Sequence, residues 1–287
     1  MGTVPRSRSS AASPALVGQV GRHVALALVG LAFIVPVLAL ISTSLKTQEQ
    51  NLRIPPMWIP APPHFANYAA AFETVPMLVF FRNSLFVAVV SVFGVAVSSA
   101  VVAYGFSHIR WRGRNLIFVL VISTMLLPYE VTMISQYIMF ANLGWVNTFL
   151  PLTVPHFFGV PFYIFMLRQF FLRIPVEITE AARIDGASEF RIFARIVLPL
   201  AVPALAVVAL LQFVASWNDF LGPLIYLNDP NLYTLSLGMH YFRTSLFQTE
   251  LGPQAAYAFM IALPVIVVFF LAQRRFIQGI ALTGLKG

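Results

Sequence analysis

The segment 180-EAARIDGASEFRIFARIVLPL-200 decides how the rest of the chain is read. It gathers Glu180, Arg183, Asp185, Glu189, Arg191 and Arg195 in a chain that is only 10% charged. A charge at the centre of a membrane-spanning helix costs roughly 2.5–3.5 kcal/mol, so these six and Glu177 would together forfeit on the order of 20 kcal/mol in a bilayer. The segment therefore lies outside the membrane, yet it is no plain polar linker. Glu177 to Ile184 suits a short helix, and Asp185-Gly186-Ala187-Ser188 reads as a turn with Gly186 left-handed and Ser188 capping a second helix from Glu189. On that helix Phe190, Phe193 and Val197 recur at helical spacing and form an apolar face. A loop that merely held topology would need basic residues, not Glu177, Glu180, Asp185 and Glu189 as well, so the pattern favours a docking element.

Outward from this segment the sequence is oily. The chain has 287 residues, 59% of them apolar, and a mean hydropathy of +0.83, against roughly 45–50% apolar and 25% charged in a soluble domain. Apolar stretches run at about 24–43, 84–106, 115–136, 148–171, 199–217 and 256–273, each long enough to cross a bilayer. They read as helices, because a helix satisfies its own backbone in lipid and the alternating ten-residue segments of a barrel are missing. The expected fold is an all-α membrane protein: six transmembrane helices within residues 24–276, a loop at 172–198 between spans four and five, a disordered tail at 1–23 and a short tail at 277–287. Pro151, Pro155 and Pro161 predict a bent or broken fourth span. Gly94 and Ser98, with Ala96 and Ala100, give small-residue spacing for close packing on the second. No cysteine is present, which removes disulfides and thiol chemistry.

Orientation follows from the basic residues. With both termini cytoplasmic, the inner segments hold Arg6, Arg8, Arg22, Arg110, Arg112, Arg114, Arg168, Arg173, Arg183, Arg191, Arg195, Arg274, Arg275 and Lys286, and the outer segments only Lys46, Arg53, Arg82 and Arg243. This positive-inside asymmetry explains the net charge of +8 without nucleic acid. Trp58, Trp111, Trp145 and Trp217 all fall outside the spans or at a span end, as an interfacial aromatic belt requires. The first apolar run is too long for a signal peptide and starts too late.

The loop also resembles a known family. Glu180-Ala181-Ala182, Gly186, Ile196, Leu198 and Pro199 fill every fixed position of the cytoplasmic loop of ABC importer permeases: EAA, three residues, Gly, nine residues, Ile-x-Leu-Pro. The stretches PPMWIPAPPHFANY (55–68), AYGFSHIRWRGRNLIF (103–118), WNDFLGPLIYL (217–227) and RRFIQGIALTGLKG (274–287) are similar, in order, to the smaller permease subunit of the maltose-type carbohydrate importers. Two departures are visible. Gly222 stands where that branch often has a second tryptophan, and Gly284 falls one place later than usual; both bear on substrate subtype. The resemblance implies a type I importer permease fold in a bacterial plasma (inner) membrane, importing a sugar or short oligosaccharide by alternating access. It implies a second, non-identical permease, two copies of an ATPase that carries the ATP and magnesium, and an extracytoplasmic sugar-binding protein. It gives Glu180, Ala181, Ala182, Asp185, Gly186, Ile196, Leu198 and Pro199 the role of coupling to the ATPase, with Glu180 and Asp185 as acceptors for a basic partner.

The chain holds no phosphate-binding loop, and Lys46 and Lys286 are its only lysines, so ATP hydrolysis must lie on another polypeptide. No catalytic constellation appears; His23, His64, His108, His156 and His240 are too scattered in sequence to suggest a metal site, and no cofactor is expected on this chain. Polar residues in or at the ends of spans are costly in lipid and tend to face a cavity or a partner. Candidates for the substrate path are Asn83, Glu130, Gln136, Tyr137, Gln212, Trp217, Asn218 and Asp219, an inventory of amides, acids and aromatics that suits a saccharide. Two other readings stay open: an ABC permease for a phosphorylated polyol such as glycerol phosphate, and a secondary transporter, for which the chain shows neither paired intramembrane acids nor an internal repeat.

Overall fold

The structure, a computed structural model, describes residues 14–244 and 250–284. Arg6, Arg8, Lys286 and the side chains of Arg274 and Arg275 lie outside the described residues, as does the first part of the expected N-terminal tail. Among the described residues all regular elements are helical. Four helices, Gly21–Ser44, Met77–Ser107, Leu150–Phe171 and Leu251–Gln273, are long and apolar enough to cross a membrane, and two bent pairs bring the number to six if each counts as one span.

Several boundaries differ from the sequence expectation. The first helix is Pro14–Ser44, so its opening turns occupy part of the stretch expected to be a loose tail, and the last, Leu251–Gly284, runs through most of the expected C-terminal one. The second starts at Met77 rather than at 84. The third is not straight: Arg114–Leu126 and Tyr129–Asn142 meet at 97°. Pro128 explains the break, since it has no N–H to donate and drives Leu127 into extended geometry (φ −84°, ψ 113°). The fourth is broken, as its prolines predict: Leu150–Thr153 passes into a 3₁₀ turn over Val154–Phe158, Gly159 takes φ +86°, and Pro161 opens the helix Pro161–Phe171. The fifth is Val202–Asn218, set at 76° to the preceding helical stretch Glu189–Leu200.

The second span is the hub, packing against the fifth, the fourth and the 3₁₀ turn. Gly94 makes this possible, because a Cβ there would sit 2.7 Å from the Phe157 ring. Ser98 donates to the Gly94 carbonyl at 2.7 Å and the His156 carbonyl at 3.0 Å, so the small-residue stripe serves packing within the chain. One core cluster joins Val95, Tyr104, Leu167 and Val208 to Ile192 and Val197 of the 172–198 loop. A second, around Phe80, Trp217, Leu235 and Tyr257, sits toward the opposite end. The first span, 0% buried over its apolar window, packs against the last and leaves most of its surface to lipid or a partner.

Candidate functional site

The 172–198 loop is two helices joined by a tight turn. Val176–Ile184 ends at Asp185, and Gly186 follows at φ +77°, the left-handed region expected of it. Ala187 N–H donates to the Ala182 carbonyl at 2.9 Å and Gly186 N–H to the Arg183 carbonyl at 3.0 Å, the paired bonds of a Schellman stop. Ser188 then caps the next helix, its hydroxyl accepting from Arg191 N–H at 3.4 Å. That helix, Glu189–Ile192, widens into a π-turn over Phe193–Val197, where Leu198 N–H reaches back to the Phe193 carbonyl. The extra residue rotates the apolar face. Ile192 and Val197 are buried and Phe193 is packed against the core, while Phe190 turns outward at 78% exposure. Of the expected Phe190–Phe193–Val197 face, only Phe193 and Val197 turn inward, and the π-turn brings Ile192 and Val197, five residues apart, into the core together.

Outward from this turn stand Glu180, Ala181, Asp185, Gly186, Ile184 and Phe190, an acidic rim around two bare apolar side chains. Ala182, Ile196 and Leu198 instead pack toward the chain's own core. Ile196 and Leu198 thus hold the loop's base, and Pro199 is exposed beside them.

An ion pair clamps the two helices. Arg183 Nε donates to Glu189 Oε1 at 2.7 Å and its Nη2 to Oε2 at 3.3 Å. The same Oε2 accepts from the Tyr104 hydroxyl, on the second span. Arg183 Nη2 also donates to the His108 carbonyl at 3.4 Å, and the His108 ring stacks on Tyr104 at 5.1 Å. The hydrogen bond from Arg183 holds the Glu189 carboxyl below its usual range, and burial, then the Arg183 charge, pushes His108 down. Sequence reading missed this clamp because Tyr104 lies 85 positions from Glu189. A cavity of about 550 Å³ opens beside it, lined among others by His108, Arg110, Arg114, Thr179 and Glu180.

A second cavity, about 290 Å³, lies where the helices break. Tyr129 and Gln136 come from the second limb of the bent third span, His156 from the 3₁₀ turn, and Asp219 and Tyr226 from beyond the fifth. Gly222 is in its wall, with Asp219 Oδ2 2.5 Å from where a Cβ would stand.

A family model matches residues 93–280: Binding-protein-dependent transport system inner membrane component. The chain belongs to this family. It is a membrane component of a transport system rather than an enzyme. The permease is 32% identical to the arabinooligosaccharides transport system permease protein AraQ of Halalkalibacterium halodurans, over 90% of this chain and 95% of the relative. It is 31% identical to the diacetylchitobiose uptake system permease protein NgcG of Streptomyces coelicolor, over 88% and 84%. Among solved structures, a chain of a bacterial ABC transporter that imports the acidic polysaccharide alginate matches with a TM-score of 0.78 at 23% identity, covering 96% of this chain and 100% of that one. A chain of the alginate transporter in complex with its alginate-bound periplasmic protein gives 0.64 at 15% identity, covering 89% and 94%. The permease thus has the ABC importer permease fold.

Of the polar residues read from the sequence of this permease, Gln136 and Asp219 meet in the second cavity and Tyr137 adjoins it, stacked on Tyr226 at 6.1 Å. The others do not join them. Asn83 is buried and donates to the Asn231 and Tyr233 carbonyls at 2.8 and 3.1 Å, pinning a loop at the far end. Gln212 bonds Ser216 and Trp217 bonds the Ile261 carbonyl, both inside the helix packing. Asn218 is exposed and donates to the Val214 carbonyl. Glu130 is exposed and lies outside the cavity lining. Tyr129, His156 and Tyr226 were missed; the break at Pro128 and the prolines around His156 were the only signals that could have found them.

Proposed function

We propose that this permease imports a sugar or short oligosaccharide, driven by a separate ATPase that docks on the 172–198 loop. The observation that carries this reading is the Schellman turn at Gly186, which presents Glu180, Asp185, Ile184 and Phe190 together on an exposed, internally clamped surface. Carboxylates on such a rim make charge-assisted hydrogen bonds to a basic cleft, and the exposed Ile184 and Phe190 supply apolar anchors. The loop and both termini face the cytoplasm, as the distribution of arginine supports. ATP and magnesium are bound by the ATPase, present in two copies; a second, non-identical permease completes the membrane pathway, and an external binding protein delivers the sugar. The carbohydrate-named relatives support the cargo class. Closure of the ATPase pair pulls on the loop, and the Arg183–Glu189–Tyr104 clamp hands that movement to the second span. The test is sugar uptake into vesicles containing the assembled complex: uptake requires internal-facing ATP on this reading. Uptake that persists without ATP and follows an ion gradient contradicts it.

A further inference from the structure

We propose that the cavity between Tyr129, Gln136 and Tyr226 is a subsite for one uncharged ring of the cargo, an inference that rests on the saccharide reading above. Three observations converge on it. The Tyr226 side chain is 2% exposed, and its hydroxyl lies near the Tyr129 hydroxyl but has no partner within ordinary hydrogen-bond geometry among the described residues. A buried hydroxyl left unpaired calls for an explanation, and Tyr226 lines this cavity. A sugar hydroxyl, at once donor and acceptor, satisfies it.

The backbone points to the same place. The third span breaks at Pro128, one residue before Tyr129, and the fourth unwinds over Val154–Phe158, around His156. Irregular backbone at membrane depth is tolerated where it lines a cavity or is covered by protein, and broken helices commonly frame transport sites. The Tyr129 ring lines the cavity together with the amide of Gln136.

Charge selects the ring. No lysine or arginine lines the cavity, whereas the carboxyl of Asp219 does, one of its oxygens accepting from Gly222 N–H at 3.1 Å. A uronate or sulfonate would meet that carboxylate with no lysine or arginine to offset it, and like charges brought together at an interface select against the wrong partner. The subsite therefore takes neutral rings, in contrast to the acidic cargo of the alginate importer that shares the fold.

The test is equilibrium dialysis on the intact complex, purified with its membrane and ATPase partners but without the external binding protein. Radiolabelled diacetylchitobiose, arabinotriose and maltotriose serve as neutral probes and a mannuronate trimer as the acidic one. At least one neutral probe binds and the trimer does not. Tyr226→Phe and Gln136→Leu each weaken the neutral probe about three- to tenfold, the worth of one or two hydrogen bonds, with an unchanged yield of co-purified ATPase. Neutral binding untouched in both variants overturns the subsite and leaves the saccharide reading standing. Preference for the mannuronate trimer overturns the neutral assignment alone. A complex that binds none of the four overturns the subsite, and the uptake assay above decides the saccharide reading separately.

Discussion

At the scale of single residues, the loop depends on one backbone angle. Gly186 sits at φ +77° with nothing within 4 Å of where its Cβ would be, so the constraint is conformational and not steric. A side chain there costs about 1–2 kcal/mol; proline, fixed near φ −65° and without the N–H that bonds Arg183, cannot form the turn. Gly186→Pro is expected to leave the protein in the membrane and strip it of co-purifying ATPase, with Gly186→Ala intermediate; equal ATPase recovery in all three contradicts this. The clamp gives a second test. Arg183 and Glu189 are 34% and 43% exposed, so their pairing alone contributes less than about 1 kcal/mol. The Tyr104 hydroxyl, bonded to a carboxylate, adds about 1 kcal/mol, and Tyr104→Phe is expected to lower the melting temperature in detergent by about 2–4 °C. The Glu189 carboxyl titrates below its ordinary value in the folded protein, held there chiefly by the Arg183 hydrogen bond. Its stabilisation is therefore fully present above the ordinary glutamate value and is lost as pH falls through the lowered one. The melting difference between wild type and Glu189→Gln should hold constant from alkaline pH down to that ordinary value; a difference that vanishes near neutrality contradicts the assignment.

At the scale of elements, length and apolarity place the spans but do not show where they break. The second and last spans are continuous helices and were legible as such. The third, equally apolar in sequence, turns by 97° at a single proline, and a lone proline in an apolar run does not announce whether it kinks a helix or ends it. The turn at Gly186 and the cap at Ser188 were legible because both are local. The π-turn over Phe193–Val197 was not, since it answers to the packing of Ile192 and Val197 in the core. Which polar residues face a cavity was not legible: Asn83, Gln212 and Trp217 have partners inside the protein, and the sequence does not distinguish such groups from polar groups facing a cavity. Gly94 tests the packing of the hub. Gly94→Leu drives a side chain into the Phe157 ring and is expected to destabilise by about 1–3 kcal/mol, with partial rescue in Gly94→Leu/Phe157→Ala. Strictly additive effects of the two changes on the melting temperature contradict the close approach.

At the scale of the whole molecule, the first span is the least covered by the rest of the chain. Its first span presents apolar side chains such as Leu26, Phe33 and Leu38 at 53–77% exposure, which only lipid or another membrane subunit can cover. The absence of cysteine makes its orientation directly testable. Ile54→Cys, at a position 92% exposed, is expected to react with an impermeant thiol reagent from outside the cell, and Arg112→Cys only from the cytoplasmic side; the reverse pattern overturns the topology. The central claim is that the 172–198 loop couples ATP hydrolysis elsewhere to movement of sugar through this chain. ATP hydrolysis by the reconstituted complex, with and without sugar-loaded binding protein, tests it most directly in wild type and in Gly186→Pro. Sugar-stimulated hydrolysis is expected in the wild type and none in the variant; undiminished stimulation in Gly186→Pro rules out coupling through this loop.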